Sequence, residues 1–355
     1  MPEPRSRAAR RAILNAPAGD GAPEMRSTLD RSESGAPAAG HAVRDLFSTD
    51  EIFQRLVATA DEEFVRSTRL LFLSGLAAGL SIGLSFLARS AVTAAVPGDE
   101  SGLVGNLLYP IGFLLIVLGR YQLFTENTLT PVTLVLTRIA SLPQLLRLWG
   151  IVLAANVVGA ALVALVLAKT AVLDPDTAAV ARAFGEHGLE FPFGALFWKG
   201  VIAGWLVASM VWLNHAARDT TARFLIVLFI MYLVPSADLF HCVIGACEVL
   251  YLVFQGAAGL GEAASFFTAV VLGNTVGGVL LVGILNYAQT RERRFPDRDC
   301  DDLTLTWREF MFGVTPGEGH ATLGHTDGDD GPDEGPESLL DQPVPAERRE
   351  ASRKE

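Results

Sequence analysis

Two polar interruptions lie inside segments otherwise apolar enough to sit in a bilayer: Leu123-Phe124-Thr125-Glu126-Asn127 and Leu239-Phe240-His241-Cys242-Val243. His241 and Thr125 are the residues there that could act on a solute. A neutral imidazole accepts a hydrogen bond at one nitrogen and donates at the other, and it is the side chain that gains a proton near neutral pH. A threonine hydroxyl can donate to an anion or to that histidine. The pair suits contact with a small weak acid. For His241 the competing expectation is a ring satisfied by a carbonyl on a neighbouring helix. Inside a span, however, an ionisable group is expensive to bury and is functional by default. Thr125 alone would signify little, because span threonines usually bond their own helix. It gains weight from pairing with His241, which the shared Leu-Phe ahead of each break suggests.

Other side chains bear on such a site. Lys199, one turn into the fourth span, could snorkel to the interface, or face the pore mouth and draw anions inward. Glu126 and Glu248 would repel anions unless protonated or paired with Lys199 or an arginine. Asn156 and Asn274 head Asn-x-x-Gly sequences and are expected to bond backbone freed at the breaks. Leu123, Phe124, Phe113 and Phe240 could form apolar constrictions, although each taken singly reads as packing.

The elements that position these residues follow from blocks of apolar sequence rather than face periodicity. Charge-free or nearly charge-free runs occupy 70–88, 103–119 with 131–137, 148–168, 191–213, 224–261 and 263–289. Six crossings of roughly 20 residues fit a bilayer. Spans two and five contain the breaks, and such interruptions are tolerated at membrane depth only where protein or water surrounds them. Leu71 to Gly79 matches Leu196 to Gly204, and Ala155-Asn156-Val157-Val158-Gly159 matches Gly273-Asn274-Thr275-Val276-Gly277. Three spans per half is an odd number, so the copies (about 67–170 and 191–290) would be inverted repeats, with a permeation site near the midplane. Arg138, Arg147, Arg218, Arg223 and the arginines after residue 290 place both termini in the cytoplasm.

Half of the 355 residues are hydrophobic and mean hydropathy is +0.35, which favours a polytopic membrane protein over a soluble enzyme. The formal charge of −11 owes much to an Asp/Glu/Gly/Pro-rich tail, 291–355, expected to be largely disordered. The leader, 1–44, mixes Arg with Ala, Pro, Gly and Ser and reads as disordered. Residues 45–66 read as an amphipathic helix lying at the membrane surface, or as an ordinary packed helix. No basic face is available for nucleic acid, and Cys242, Cys247 and Cys300 suit neither a disulfide framework nor a zinc site. No cofactor and no enzymatic constellation are expected.

Leu-Phe-Thr-Glu-Asn at 123–127, Lys199-Gly200 with Trp205-Leu206-Val207, Phe240-His241, and Gly273-Asn274-x-x-Gly-Gly with Leu280-Leu281-Val282-Gly283 resemble the formate/nitrite transporter family, in order and on the matching spans. The resemblance covers roughly 50–290. It implies an all-α, aquaporin-like six-helix protomer assembled as a homopentamer in a bacterial-type inner membrane, each protomer with its own pore. It further implies small monovalent anions such as formate, nitrite or hydrosulfide as solutes, with Thr125 and His241 central and Lys199 nearby. Phe240 stands where the family often has an acidic residue, Gly245 and Gly204 where it often has asparagine, which marks a divergent member. Passive or proton-coupled passage of weak acids is thus expected. A neutral-solute channel on the same scaffold, or a membrane scaffold or envelope-stress protein acting through its tails, are the alternatives.

Overall fold

The computed structural model describes residues 46–99, 102–290 and 304–313; the leader and most of the tail lie outside them. The elements fall in one compact unit, Ser48–Glu355. Every regular element among the described residues is helical.

Helix α1 (Thr49–Val65) starts at a capping box. Ser48 Oγ accepts from the Glu51 amide, and the Glu51 carboxylate accepts from the Ser48 N–H at 2.7 Å. Its apolar face (Phe53, Leu56, Val57, Ala60) is buried by protein rather than offered to lipid.

Among the described residues, four helices are long and apolar enough to cross a bilayer: α2 (Thr68–Ala95), α5 (Leu142–Lys169), α7 (Phe193–Ala216), and α10 (Leu260–Val276), which runs on through a π-helical stretch (Gly277–Ile284) into α11 (Leu285–Gln289). The two remaining expected spans are split into α3 (Ile111–Gly119) with α4 (Thr130–Leu136), and α8 (Thr220–Ser236) with α9 (Cys242–Gln255). α2 packs along α5, and α7 along α10. Glycine makes this possible, because lipid supplies no hydrophobic drive and close backbone approach must do the work. A Cβ at Gly79 would strike the Asn156 carbonyl, and one at Gly204 would strike that of Asn274. Gly159 and Gly277 repeat the arrangement against Leu76 and Val201.

The stretch between the halves, expected as a connecting loop, holds a helix, α6 (Pro175–Leu189). Asp174 caps it by accepting from the Asp176 and Thr177 amides, and Pro175 opens its first turn. α6 packs on α9 as α1 packs on α4, so each copy carries a fourth, flanking helix. In the tail, helix α12 (Trp307–Phe312) docks near the turn before α5. The Leu305 N–H donates to the Arg138 carbonyl at 2.8 Å, and the Arg138 guanidinium lies 5.4 Å from the Trp307 ring.

Candidate functional site

Both breaks are built the same way. After α3, Arg120 turns left-handed (φ 56°) and the Tyr121 N–H returns to the Ile116 carbonyl at 3.0 Å. After α8, Asp238 turns left-handed (φ 53°) and the Leu239 N–H returns to Val234 at 2.9 Å. An asparagine then clasps each extended piece. Asn156 Oδ1 accepts from the Phe124 N–H (2.8 Å), while its Nδ2 donates to the Gln122 and Gly75 carbonyls (2.9 and 2.8 Å). Asn274 Oδ1 accepts from the Cys242 N–H (2.9 Å), while its Nδ2 donates to the Phe240 and Gly200 carbonyls (3.1 and 2.8 Å). The two asparagines therefore satisfy the backbone that the interrupted helices leave open, as expected.

The clasps also correct the register. Gln122 falls opposite Phe240, Leu123 opposite His241, and Thr125 opposite Val243. Aligning the breaks on their shared Leu-Phe displaces them by two positions, because backbone pairing to asparagine, not side-chain identity, fixes the alignment. Thr125 and His241 are thus not counterparts in the repeat, yet they meet. Thr125 Oγ1 lies 2.7 Å from His241 Nε2, both residues buried. His241 caps α9 through Nδ1, which accepts from the Ile244 N–H at 3.5 Å. In the neutral ring Nδ1 is then the acceptor and Nε2–H the donor, so the threonine oxygen is occupied as an acceptor and its own proton remains available for a solute. Phe113 lies edge-on to the imidazole at 4.9 Å between centroids, and Leu123 is fully buried.

One cavity adjoins His241, and another borders the chain neighbours of Thr125. A small one, about 30 Å³, is lined by His241, Phe240, Asp238, His187, Arg89 and Glu248 among others. A large one, about 450 Å³, borders Gln122 and Glu126 and reaches α1 and the α7–α8 turn. The length of α8, 17 residues or about 25 Å at 1.5 Å per residue, separates the ends of the molecule they occupy.

The small cavity is charge-balanced. Lys199 Nζ donates to Asp238 Oδ2 (2.6 Å) and to its carbonyl (2.7 Å), and His187 Nε2 lies 2.8 Å from Asp238 Oδ1. Lys199 therefore neither snorkels freely nor stands as an unpaired lure. Glu248 pairs with Arg89 (3.3 Å), whose Nε donates to Asn106 Oδ1 (2.8 Å) and whose guanidinium lies 3.7 Å from the Phe184 ring. Phe240 packs among Phe191 and Phe266, and Phe124 packs edge-on to Trp149, so Phe124 is a core residue. Glu126 borders the large cavity, together with Glu63 of α1.

Sequence reasoning passed over Asp238 as a partner, and with it His187, Arg89 and Glu63. Asp238 carried one signal, a carboxylate three residues before His241 inside an apolar span. The others sit on segments read as connections or surface. Among the described residues no group of three His, Cys, Asp or Glu is placed to hold a metal, and Cys242 and Cys247 are buried thiols; Cys300 lies outside the described residues.

Comparison with known proteins agrees with this architecture. Residues 50–288 match the formate/nitrite transporter family model. Inner membrane protein YfdC of Escherichia coli (strain K12) is 32% identical over 244 residues, 68% of this chain and 78% of that one. An FNT family ion channel superposes with a TM-score of 0.61 at 22% identity, covering 68% of this chain and 99% of that one. A pentameric formate channel with formate bound gives 0.51 at 24% identity, over 62% and 96%. The match takes in both breaks, both clasping asparagines and all four long helices, and the chain belongs to the formate/nitrite transporter family of membrane transporters.

Proposed function

We propose that this chain passes small monovalent anions, formate and nitrite being the type solutes, or their conjugate acids, between the two cavities by way of Thr125 and His241. The observation that carries this reading is the 2.7 Å contact between Thr125 Oγ1 and His241 Nε2, made by two interrupted helices between two polar cavities. A bare anion moved through a dry constriction costs several kcal/mol or more. Two groups offset this: the free Thr125 proton, whose oxygen accepts from the His241 N–H, and the positive N-terminal end of α9, whose cap is His241. A proton taken up by the solute removes the remainder, so that a neutral acid crosses the ring of Leu123, Phe113 and His241. The protomers would form a homopentamer in the inner membrane, each with its own path and with both termini cytoplasmic. The large cavity would then face the cytoplasm. Family membership and the positive-inside pattern support these assignments.

The test is stopped-flow formate uptake by purified protein in proteoliposomes at two pH values, with His241→Asn alongside. Uptake should rise as pH falls, and the substitution should flatten that dependence. Flux indifferent to both pH and His241 would overturn the reading. The two ion pairs that neutralise the small cavity favour one competitor, a path for neutral solutes. Glycerol-driven swelling without formate uptake would select it.

A further inference from the structure

Two carboxylates, one on α1 and one in the first break, share the large cavity. Glu63 is buried, with the Thr130 hydroxyl donating to its Oε2 at 2.8 Å and Gln122 Nε2 lying 3.5 Å from its Oε1. Gln122 is itself fixed by Asn127, which donates to its Oε1 at 2.9 Å. Glu126, immediately after Thr125, lines the same cavity. Asn214 lines it as well, with its Oδ1 turned away from the cavity and buried.

Most of the other charges of this cavity are engaged. Arg120 holds Glu62 at 2.8 Å, and Arg223 donates to the Asn214 and Ala217 carbonyls. Arg55 donates to the His215 carbonyl, and the His215 ring lies against Thr59 Oγ1 and the Val211 carbonyl. Arg66 faces the pair from the end of α1 and favours an ionised Glu63, while Glu62 opposes it. Two like charges sharing a site cannot both ionise at their ordinary pKa.

We propose that Glu63 and Glu126 form a proton-loading site, at which a weak-acid anion arriving in the large cavity is protonated before it reaches Thr125 and His241. The protonated carboxyl gives its proton to the anion's oxygen and becomes a carboxylate. The neutral acid then moves on toward Thr125 and His241, and water in the cavity returns a proton to the glutamate pair. Burial pushes the Glu63 carboxyl up to about 7, more than the Thr130 and Gln122 hydrogen bonds and Arg66 pull it down, so below that pH the proton is in place. This inference rests on the weak-acid reading above and names the site where its proton is loaded.

The experiment uses the full-length chain in proteoliposomes, with formate as the probe and flux started from the large-cavity side. Glu63→Gln, Glu126→Gln and the double variant are compared with wild type from about pH 5 to pH 8. With general acid transfer removed, flux at about pH 7.5 should fall by at least about tenfold, while flux at about pH 5, where the bulk supplies protonated acid, should stay within about twofold. A glutamine at either position keeps the size of the side chain, so a purely structural role would lower flux equally at all pH values. Equal losses, or an unchanged pH profile in a folded double variant, would overturn the proposal. Should Glu63→Gln fail to fold, Glu126→Gln decides alone on the same criterion, because its half-exposed side chain makes no bond that holds the break. A wild-type protein that carries no formate at any pH would instead refute the transport reading itself.

Discussion

Leu123 and His241 occupy the same position in two copies of one structure, each between the two residues clasped by an asparagine. One copy places an alkyl group there and the other an imidazole. The repeated backbone frame thus carries different chemistry at that position in its two copies, and Thr125 meets the imidazole from outside the repeat register.

The clasps should dominate the stability of the breaks. Asn156→Ala strands one buried N–H and one buried carbonyl of the break, the Gly75 carbonyl keeping its helical partner, and Asn274→Ala does the same in the other copy. At about 1 kcal/mol or more for each orphaned group, each variant should lose at least ~2 kcal/mol. Thermal melts of the purified protein in detergent would check this. Melts within a degree of wild type would mean that water replaces the clasp.

Thr125→Val keeps the volume and deletes the hydroxyl, leaving His241 Nε2 without its partner. The protein should fold, while formate flux falls by about tenfold, the equivalent of roughly 1.4 kcal/mol. Thr125→Ser should restore most of it. A valine variant with wild-type flux would remove the hydroxyl from the path.

Asp238 holds Lys199 and His187 together, so its charge should govern the small cavity. Asp238→Asn suits the left-handed backbone, which asparagine adopts readily. It should raise formate uptake by roughly three- to tenfold at low ionic strength, since a released cation steers anions. Lys199→Met should do the reverse. Raising salt from about 0.01 M to 0.15 M shortens the screening length from ~30 Å to ~8 Å and should compress both effects. Slower uptake in Asp238→Asn would show that the ion pair is needed for shape rather than charge.

Gly79→Ala and Gly204→Ala each drive a methyl into a backbone carbonyl across a helix pair. Each should destabilise by about 1–3 kcal/mol, and by similar amounts because the contacts repeat. Membrane yield and melting temperature would report it. An alanine variant as stable as wild type would mean that the helix pair can separate without loss.

Much of this was legible in the sequence, and for physical reasons. Gly-x-x-x-Gly and Asn-x-x-Gly leave a readable trace because only glycine permits backbone contact and a clasp needs a donor-and-acceptor side chain. Their spacing therefore gave the repeat of α2 with α7 and of α5 with α10. The break register was not legible, since Leu-Phe is shared by composition while main-chain groups carry the pairing. α6 was missed because its charges, Arg182, Glu186 and His187, resemble a solvated connection. Asp238 and Arg89 become meaningful only when distant segments converge: Lys199 is 39 residues from Asp238, and Arg89 is 159 from Glu248.

The main-chain contacts at Gly79, Gly159, Gly204 and Gly277 leave no lubricating layer of side chains between the long helices. Sliding one helix along its partner would force backbone through backbone, so α2 with α5, and α7 with α10, each behave as one stiff two-helix strut that holds its asparagine at a fixed height against the break.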